Sequence, residues 1–432
     1  MTKNKFNQVL GKLLKSEFNR NVLTLMTGTT IAQAIPIAVT PILTRIYTPE
    51  DFGVFALFIG IASIFGTIVD GRYAIAIMLP RKDEDAINIF ALGFIITFVI
   101  SLILLILVLV FNNYFVNLLD NKEIGVWLFF MPITVFLMGL WKLLNYFNIR
   151  KKQYRDIAKA TIIKTIVLST VQLVIGFIKS GVTGLISGQI ISQLFANTKL
   201  LSNIIKDKVL ISKISKKKII SLAKKYQDFP KHDAPAALSG TAASELPLIL
   251  LPKLFGLAMG GYFFLAHKMI AIPSALIGKS ISEVFFQEIS EKKNMRLKCW
   301  PFFIKTVKHL FFIGLPISFF IALFGSYLFQ IVFGEQWKIS GEIARYLAIV
   351  FLFTFVVSPV SSVFSVSGYI KRGAFWKHLY LITSLSIFTF SMLAGLKFFE
   401  FLLLFTIHQI ALYLIYFYLI VKTVRQMDER II

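Results

Sequence analysis

Long apolar runs separated by short polar segments dominate this chain from end to end. A helix that crosses the hydrocarbon core of a bilayer needs about 20 apolar residues. About twelve runs reach that length, which predicts an all-α integral membrane protein with about twelve transmembrane helices. The predicted helices lie near 21–44, 52–79, 86–111, 126–147, 160–178, 182–201, 236–253, 256–278, 305–333, 343–367, 378–396 and 400–421.

The pattern also predicts two halves. Pro36 and Pro41 are five residues apart in the first predicted helix, and so are Pro247 and Pro252 in the seventh. Broken helices at corresponding positions are typical of transporters built from repeats. Two six-helix bundles would then surround a central cavity, related by a pseudo-twofold axis along the membrane normal. The expected division is a cytoplasmic segment 1–20, a bundle 21–201, a basic cytoplasmic linker 202–235, a bundle 236–421 and a cytoplasmic tail 422–432.

Basic residues are distributed unevenly among the loops. The formal net charge is +24, and most Lys and Arg residues lie in every second loop and at both termini. Cytoplasmic loops are enriched in Lys and Arg, so we expect both termini to be cytoplasmic. This placement argues against nucleic acid as a partner. The alternate loops hold about one basic residue each: Arg45, Lys122, Lys179, Lys253, Lys338 and Lys397.

The basic linker allows two interpretations. It could form an amphipathic helix that contacts anionic membrane lipids, with Ile214, Ile219, Ile220 and Leu222 on its apolar side. Equally, it could be a solvated connection whose charges only set the topology.

Composition narrows the chemistry further. The chain is 56% hydrophobic and 16% charged, and it has one cysteine. A lone cysteine allows neither an intramolecular disulfide nor a cysteine-based metal site. We therefore expect no metal and no catalytic residues. The first apolar run is long enough to span and lacks a cleavage site, so we expect it to be retained.

Four of the basic side chains inside predicted helices are candidates for a binding site in a cavity. Arg72 lies about ten residues from the inner end of the second helix, ~15 Å deep, and Lys268 lies near the middle of the eighth. Ionisable residues at this depth usually line a polar cavity, and cations there would bind phosphate oxygens. Lys142 and Lys164 lie nearer to helix ends and could instead reach the interface.

Two acidic side chains also fall well inside predicted helices, Asp70 and Glu245. A buried carboxylate beside a cation can exchange a proton or help to bind sodium. We therefore expect coupling to a proton or sodium gradient, without any cofactor. The alternative is that each acid only neutralises a cation.

Two segments resemble a known family. One is Arg45-Ile46-Tyr47-Thr48-Pro49-Glu50-Asp51-Phe52-Gly53, followed by Leu79-Pro80-Arg81-Lys82-Asp83-Glu84-Asp85-Ala86; the other combines Phe229-Pro230, Pro235, Leu246-Pro247, Phe255-Gly256, Gly261-Tyr262 and Pro273. Together they resemble Wzx-type polysaccharide and O-antigen repeat-unit flippases. These belong to the multidrug/oligosaccharidyl-lipid/polysaccharide exporter superfamily.

The resemblance implies a function. The chain would move undecaprenyl-diphosphate-linked oligosaccharide repeat units across the bacterial cytoplasmic membrane by alternating access, for assembly of O-antigen, capsule or exopolysaccharide. Polysaccharide polymerase machinery is a further expected partner. In the first motif, Thr48 or Asp51 is expected to cap the second helix, with Pro49 in its first turn.

Two alternatives remain. A multidrug exporter of the same superfamily would favour an acidic cavity for organic cations, and the helix cations argue against it. A membrane polysaccharide polymerase or ligase would need a large outer loop, whereas every predicted outer loop is short. Asp83 and Asp85 form an Asp-x-Asp pattern, but no soluble domain accompanies it.

Overall fold

The described chain is helical throughout. The computed structural model describes residues 17–179 and 181–429, with side chains described from residue 27 onward. Within these residues no strand occurs, and nine helical segments are long and apolar enough to span a membrane. Three further helices in the described residues have 20 to 24 residues. The predicted all-α membrane architecture with about twelve long helices is therefore confirmed.

The described residues up to Lys225 form ten helices. Six are long, because an apolar backbone in lipid must satisfy its hydrogen bonds internally. The helices are α1 (Glu17–Ile46), α2 (Pro49–Ile68), α3 (Tyr73–Ala76), α4 (Asp83–Leu119), α5 (Ile124–Leu128), α6 (Met131–Arg150), α7 (Tyr154–Ile178), α8 (Thr183–Ile205), α9 (Lys208–Ile211) and α10 (Lys216–Lys225).

A π-helical turn, Phe229–Asp233, precedes the remaining helices, and a second π-helical turn, Ser274–Gly278, follows Pro273. The prolines Pro247 and Pro252 lie inside one helix, as predicted. The helices are α11 (Ala234–Phe255), α12 (Leu257–Pro273), α13 (Lys279–Asn294), α14 (Trp300–Phe333), α15 (Lys338–Val357), α16 (Val363–Ser367), α17 (Ile370–Leu393) and α18 (Phe398–Glu429).

By its packing the chain divides into two compact units. One comprises Met1–Tyr47 and Ile61–Pro235, and the other comprises Thr48–Gly60 and Ala236–Ile432. The basic segment 202–235 therefore lies in the first unit, and the beginning of α2 lies in the second. The central cavity and the pseudo-twofold axis stay predictions.

The first motif begins α2 with a reciprocal cap. The backbone N–H of Thr48 donates to Asp51 Oδ2 at 2.9 Å, and the Asp51 N–H donates to Thr48 Oγ1 at 3.2 Å. This arrangement satisfies two N–H groups that a helix start leaves free, and Pro49 is the first residue of the helix. The predicted capping role of Thr48 and Asp51 is confirmed.

The second helix ends earlier than predicted. The expected helix covered 52–79, but α2 ends at Ile68 and a turn separates it from the short α3. Gly71 and Arg72 both have positive φ, 59° and 63°, which a helix cannot accommodate. Asp70 favours the turn because its Oδ2 accepts the Ala74 N–H at 2.9 Å.

The basic linker is partly helical and packs on the first unit. Leu222 of α10 is buried, whereas Ile214 and Ile220 are exposed. Asn88 of α4 holds the start of α10, because it donates to the Lys213 carbonyl and accepts the Ser215 N–H. Of the two predicted forms, the structure shows an amphipathic helix, and its contact with lipid stays a prediction.

Candidate functional site

Arg72 forms an ion pair with a residue far along the chain. Its Nε donates to Asp233 Oδ2 at 2.7 Å, and both residues belong to the first unit. The Arg72 side chain is 22% exposed. The predicted position of Arg72 inside a spanning helix was wrong, because the chain turns at Gly71. The Asp70-Gly71 pair is a turn signal, but the apolar run that resumes at Ala74 concealed it.

The bond to Asp233 orients the Arg72 guanidinium but uses only some of its hydrogen-bond donors. The Arg72 bond to Asp233 uses Nε, and in residues 17–179 and 181–429 no protein hydrogen bond is made by the two terminal nitrogens. A guanidinium presents five N–H donors in a planar fork. The paired group therefore keeps donors for an anion that approaches the side chain.

Lys142 lies in the same region of the first unit. Its ammonium donates to the Gly66 carbonyl at 2.6 Å, near the end of α2. Asp70 and Arg72 both act on it electrostatically. Three of the predicted site residues thus come together: Asp70, Arg72 and Lys142.

Asp70 is the buried acid of this group, with only 1% of its surface exposed. Its Oδ2 accepts the Ala74 N–H, whereas its Oδ1 is buried and has no hydrogen-bond partner among the described residues. A buried carboxylate oxygen without a donor is costly. The position of Oδ1 therefore suits a proton or a cation.

Lys164 lies against an aromatic face on α6. Its ammonium is 5.3 Å from the centroid of the Trp141 ring, a cation–π contact. Within the described residues it forms no salt bridge. It is thus half-buried in its helix without a neutralising acid.

Lys268 and Glu245 belong to the second unit. The Lys268 ammonium is 5.9 Å from the Phe264 ring centroid, and Glu245 is half-buried on α11. Neither side chain forms a salt bridge within the described part of the chain. The alternative in which Glu245 neutralises Lys268 is therefore not what the structure shows.

An aromatic and polar cluster near Glu245 was not predicted. Tyr380 on α17 lies close enough to Glu245, and to the Gln409 side chain of α18, to interact with both electrostatically. Trp376 stacks on Tyr416 with 4.0 Å between ring centroids. The signal was present as aromatic residues one helical turn apart on two neighbouring helices.

Two carboxylates of the acidic pattern Asp83-Glu84-Asp85 form ion pairs with basic side chains. Asp83 bonds to Arg150 at 2.8 Å and to Lys151 at 2.6 Å, and Glu84 bonds to Lys218 at 2.6 Å. These contacts join the start of α4 to α6 and α10. In the residues that the structure describes, no group of three His, Cys, Asp or Glu side chains could hold a metal ion.

Comparison with solved structures shows which fold this is. The chain matches a lipid II flippase, MurJ, in an inward closed conformation, with a TM-score of 0.68 and 14% identity over 95% of this chain and 90% of that one. It also matches a multidrug resistance MATE transporter in an inward-facing conformation (TM-score 0.64, 12% identity, 94% and 95% covered). A transporter of the MOP superfamily from Pyrococcus furiosus gives a TM-score of 0.64 at 14% identity, with 96% and 98% covered. The chain therefore has the fold of these membrane transporters and is a multi-pass membrane protein.

Sequence comparison gives a more specific relationship. The teichuronic acid biosynthesis protein TuaB of Bacillus subtilis (strain 168) is 23% identical over 166 residues, which is 38% of this chain and 34% of the relative. The match thus spans about a third of that relative's length. Residues 42–342 match the model of the family described as polysaccharide biosynthesis protein, and that segment is more than half of the chain. The predicted resemblance to Wzx-type flippases is confirmed, and the chain belongs to this polysaccharide biosynthesis protein family.

Proposed function

We propose that this chain is a flippase that moves undecaprenyl-diphosphate-linked oligosaccharide repeat units across the bacterial cytoplasmic membrane. The observation that carries the proposal is that Lys142, Lys164 and Lys268 lie within long helices and form no salt bridge in the described residues. Ionisable groups in membrane helices are costly and usually functional. An anionic substrate would supply the negative charges with which these lysines could pair.

A lipid diphosphate has the chemistry that these cations suit. It loses hydration when it leaves the membrane surface, and ammonium and guanidinium groups replace that hydration with charge-assisted hydrogen bonds. Arg72, held by Asp233, adds the planar donors that phosphate oxygens accept. The names of two similar proteins support this substrate class, since one is a lipid II flippase and the other acts in teichuronic acid biosynthesis.

The sugar part of the substrate needs a different surface. The Trp376, Tyr380 and Gln409 side chains of the second unit offer aromatic faces, a hydroxyl and an amide. Small-molecule sites combine apolar and aromatic lining with a few placed polar groups. We assign the oligosaccharide to this cluster.

Asp70 and Glu245 are the proposed coupling groups. Asp70 has a free buried oxygen, and Glu245 is half-buried without a salt bridge in the described residues. Binding and release of a proton or a sodium ion would change the charge beside the substrate cations and so favour one access state. On this proposal the chain performs no covalent chemistry and requires no cofactor.

The proposed setting follows from the charge pattern. Both termini would be cytoplasmic, and the basic surface of α10 would face anionic lipids of the inner leaflet. The flipped units would pass to a polysaccharide polymerase for assembly of O-antigen, capsule or exopolysaccharide.

Transport in reconstituted vesicles tests the proposal. We expect a fluorescent polyprenyl-diphosphate-linked sugar to change leaflet and a cationic dye to remain. Lys142→Gln and Lys268→Gln should each slow the lipid step by ~10-fold or more, because each removes a charge-assisted contact. The matched control is Lys397→Gln, which removes an exposed lysine between α17 and α18.

Three results would contradict the proposal. Transport of the dye without lipid movement would favour a multidrug exporter. Polymer formation from the labelled sugar would favour a polymerase. Normal lipid movement in both lysine variants would show that these cations do not bind the substrate.

A further inference from the structure

The helix α14 is longer than a bilayer requires. Its 34 residues extend ~51 Å at 1.5 Å per residue, whereas the hydrocarbon core is ~30 Å thick. The exposed large apolar side chains on α14 begin at Phe311 and continue to Val332. We therefore expect the turns before Phe311 to lie at the level of the lipid headgroups.

A groove follows these first turns. One part, of about 570 Å³, contains Lys305, Lys308 and Phe312 among its lining residues. A second part, of about 280 Å³, lies between α13 and α14 and reaches Val284. The two parts share Lys305, His309 and Ile313, and among the described residues no carboxylate lines either of them.

The groove combines a basic end with an apolar length. Lys305 and Lys308 are both exposed. They lie on the same face of α14, because residues three apart are neighbours on a helix. Neither lysine forms an ion pair within residues 17–179 and 181–429. Val284 is 60% exposed and Phe312 is 70% exposed, so apolar surface continues from the lysines toward the apolar band.

We propose that this groove binds one molecule of an anionic glycerophospholipid. Lys305 and Lys308 would hold the phosphate, and an acyl chain would lie against Phe312 and Val284. Basic pockets between membrane helices bind anionic headgroups in this way. The site lies entirely within the second unit and does not depend on which substrate the protein moves.

Photocrosslinking in vesicles tests the site. Phe312 is replaced by p-benzoylphenylalanine, and the full-length protein is placed in phosphatidylcholine vesicles with phosphatidylglycerol as the minor lipid and no polyprenyl lipid. The attached lipids are identified by mass. We expect phosphatidylglycerol to be enriched among them by ~5-fold over its share of the bilayer.

Two matched controls make the result specific. The same crosslinker at Phe324, which is 47% exposed on the same helix, should capture lipids in the bulk ratio. The pair Lys305→Gln and Lys308→Gln should remove the enrichment at Phe312. The pair Lys216→Gln and Lys217→Gln, which removes the same charge from α10, should retain it.

The proposal fails under any of four outcomes. These are a bulk lipid ratio at Phe312, equal enrichment at Phe324, enrichment that survives loss of both groove lysines, and enrichment lost when only the α10 lysines change. Because a crosslinker could itself disturb the groove, retained phosphatidylglycerol is also measured by mass after detergent washing of the protein without the crosslinker. Equal retention by the native protein and the groove variant would overturn the proposal as well.

Discussion

The backbone nitrogen of Gly53 lies 3.0 Å from the point where a Cβ of Gly261 would stand. Pro49 O lies only 1.8 Å from the same point, and a Cβ on Gly53 would meet Leu257 O at 2.1 Å. The starts of α2 and α12 thus touch backbone to backbone, as glycine allows in membrane helices. Both glycines belong to the sequence segments that resemble the flippase family, so part of that resemblance reflects packing.

Gly261→Ala should destabilise the second unit by about 1–3 kcal/mol, because the new methyl group overlaps Pro49 O and the contact must open. Thermal unfolding in detergent measures the loss. The matched control is Gly278→Ala, where the nearest atom is Pro359 Cγ at 3.7 Å and no loss is expected. Equal unfolding temperatures for Gly261→Ala and the native protein would show that this backbone contact does not form.

Tyr47→Phe should cost about 1 kcal/mol of stability, because it removes one buried hydrogen bond. The Tyr47 hydroxyl donates to the Gln172 carbonyl at 2.6 Å, and Tyr47 is 1% exposed. Thermal unfolding again gives the readout. Tyr327→Phe is the control, since Tyr327 is 64% exposed and should tolerate the change; a larger loss there than at Tyr47 would contradict the assignment.

Cys299 should react slowly with maleimide in the folded protein. Burial, and secondarily the Asp428 carboxylate, raises the pKa of its thiol to about 11. About one thiol in ten thousand is then ionised near pH 7, and the rate should rise ~10-fold per pH unit below that pKa, because the thiolate is the nucleophile. Alkylation followed by mass measurement across this pH range tests the slope.

The control for this thiol is Lys298→Cys combined with Cys299→Ser, which places an exposed thiol one residue earlier. It should react fast at neutral pH. Asp428→Asn should accelerate alkylation of Cys299, because it removes the negative charge and weakens the bonds that the Cys299 and Trp300 N–H groups donate to Asp428. A native Cys299 that reacts as fast as the exposed control would contradict the burial argument.

Hydrophobic length alone predicted the number and approximate positions of the long helices, because lipid leaves the backbone few alternatives to a helix. The same reasoning failed at Arg72. An apolar run continues through 73–79, but the chain turns at Gly71 and Arg72, which have positive φ values, and beyond them the helix covers only Tyr73–Ala76. Local turn chemistry outweighed hydropathy at that point.

The partners of the site residues lay beyond sequence reasoning. Asp233 is 161 positions from Arg72, and no spacing rule relates the two. The acids Asp70 and Glu245 were recognised because carboxylates are rare in apolar runs. The group of Trp376, Tyr380 and Gln409 was not predicted, because aromatic residues in membrane helices usually serve packing, and only the fold brings Tyr380 near both Gln409 and Glu245.

The Arg72–Asp233 pair could bind the substrate phosphate or only hold the local fold together, and substitutions at both residues distinguish these two roles. Arg72→Ala should slow lipid movement by ~10-fold or more, because it removes both the charge and the planar donors. Arg72→Lys keeps the positive charge, but an ammonium lacks the planar donors with which a guanidinium can bond to Asp233 and to a phosphate at once. It should therefore restore only part of the flipping rate. Asp233→Asn leaves the cation in place without its orienting carboxylate and should weaken substrate affinity more than the maximal rate.

Initial rates of flipping across a range of labelled-lipid concentrations, with insertion checked by thermal unfolding, distinguish these cases. If Asp233→Asn and Arg72→Ala lose transport and stability to the same degree, the pair only holds the turn to the π-helical segment, and the phosphate must bind elsewhere.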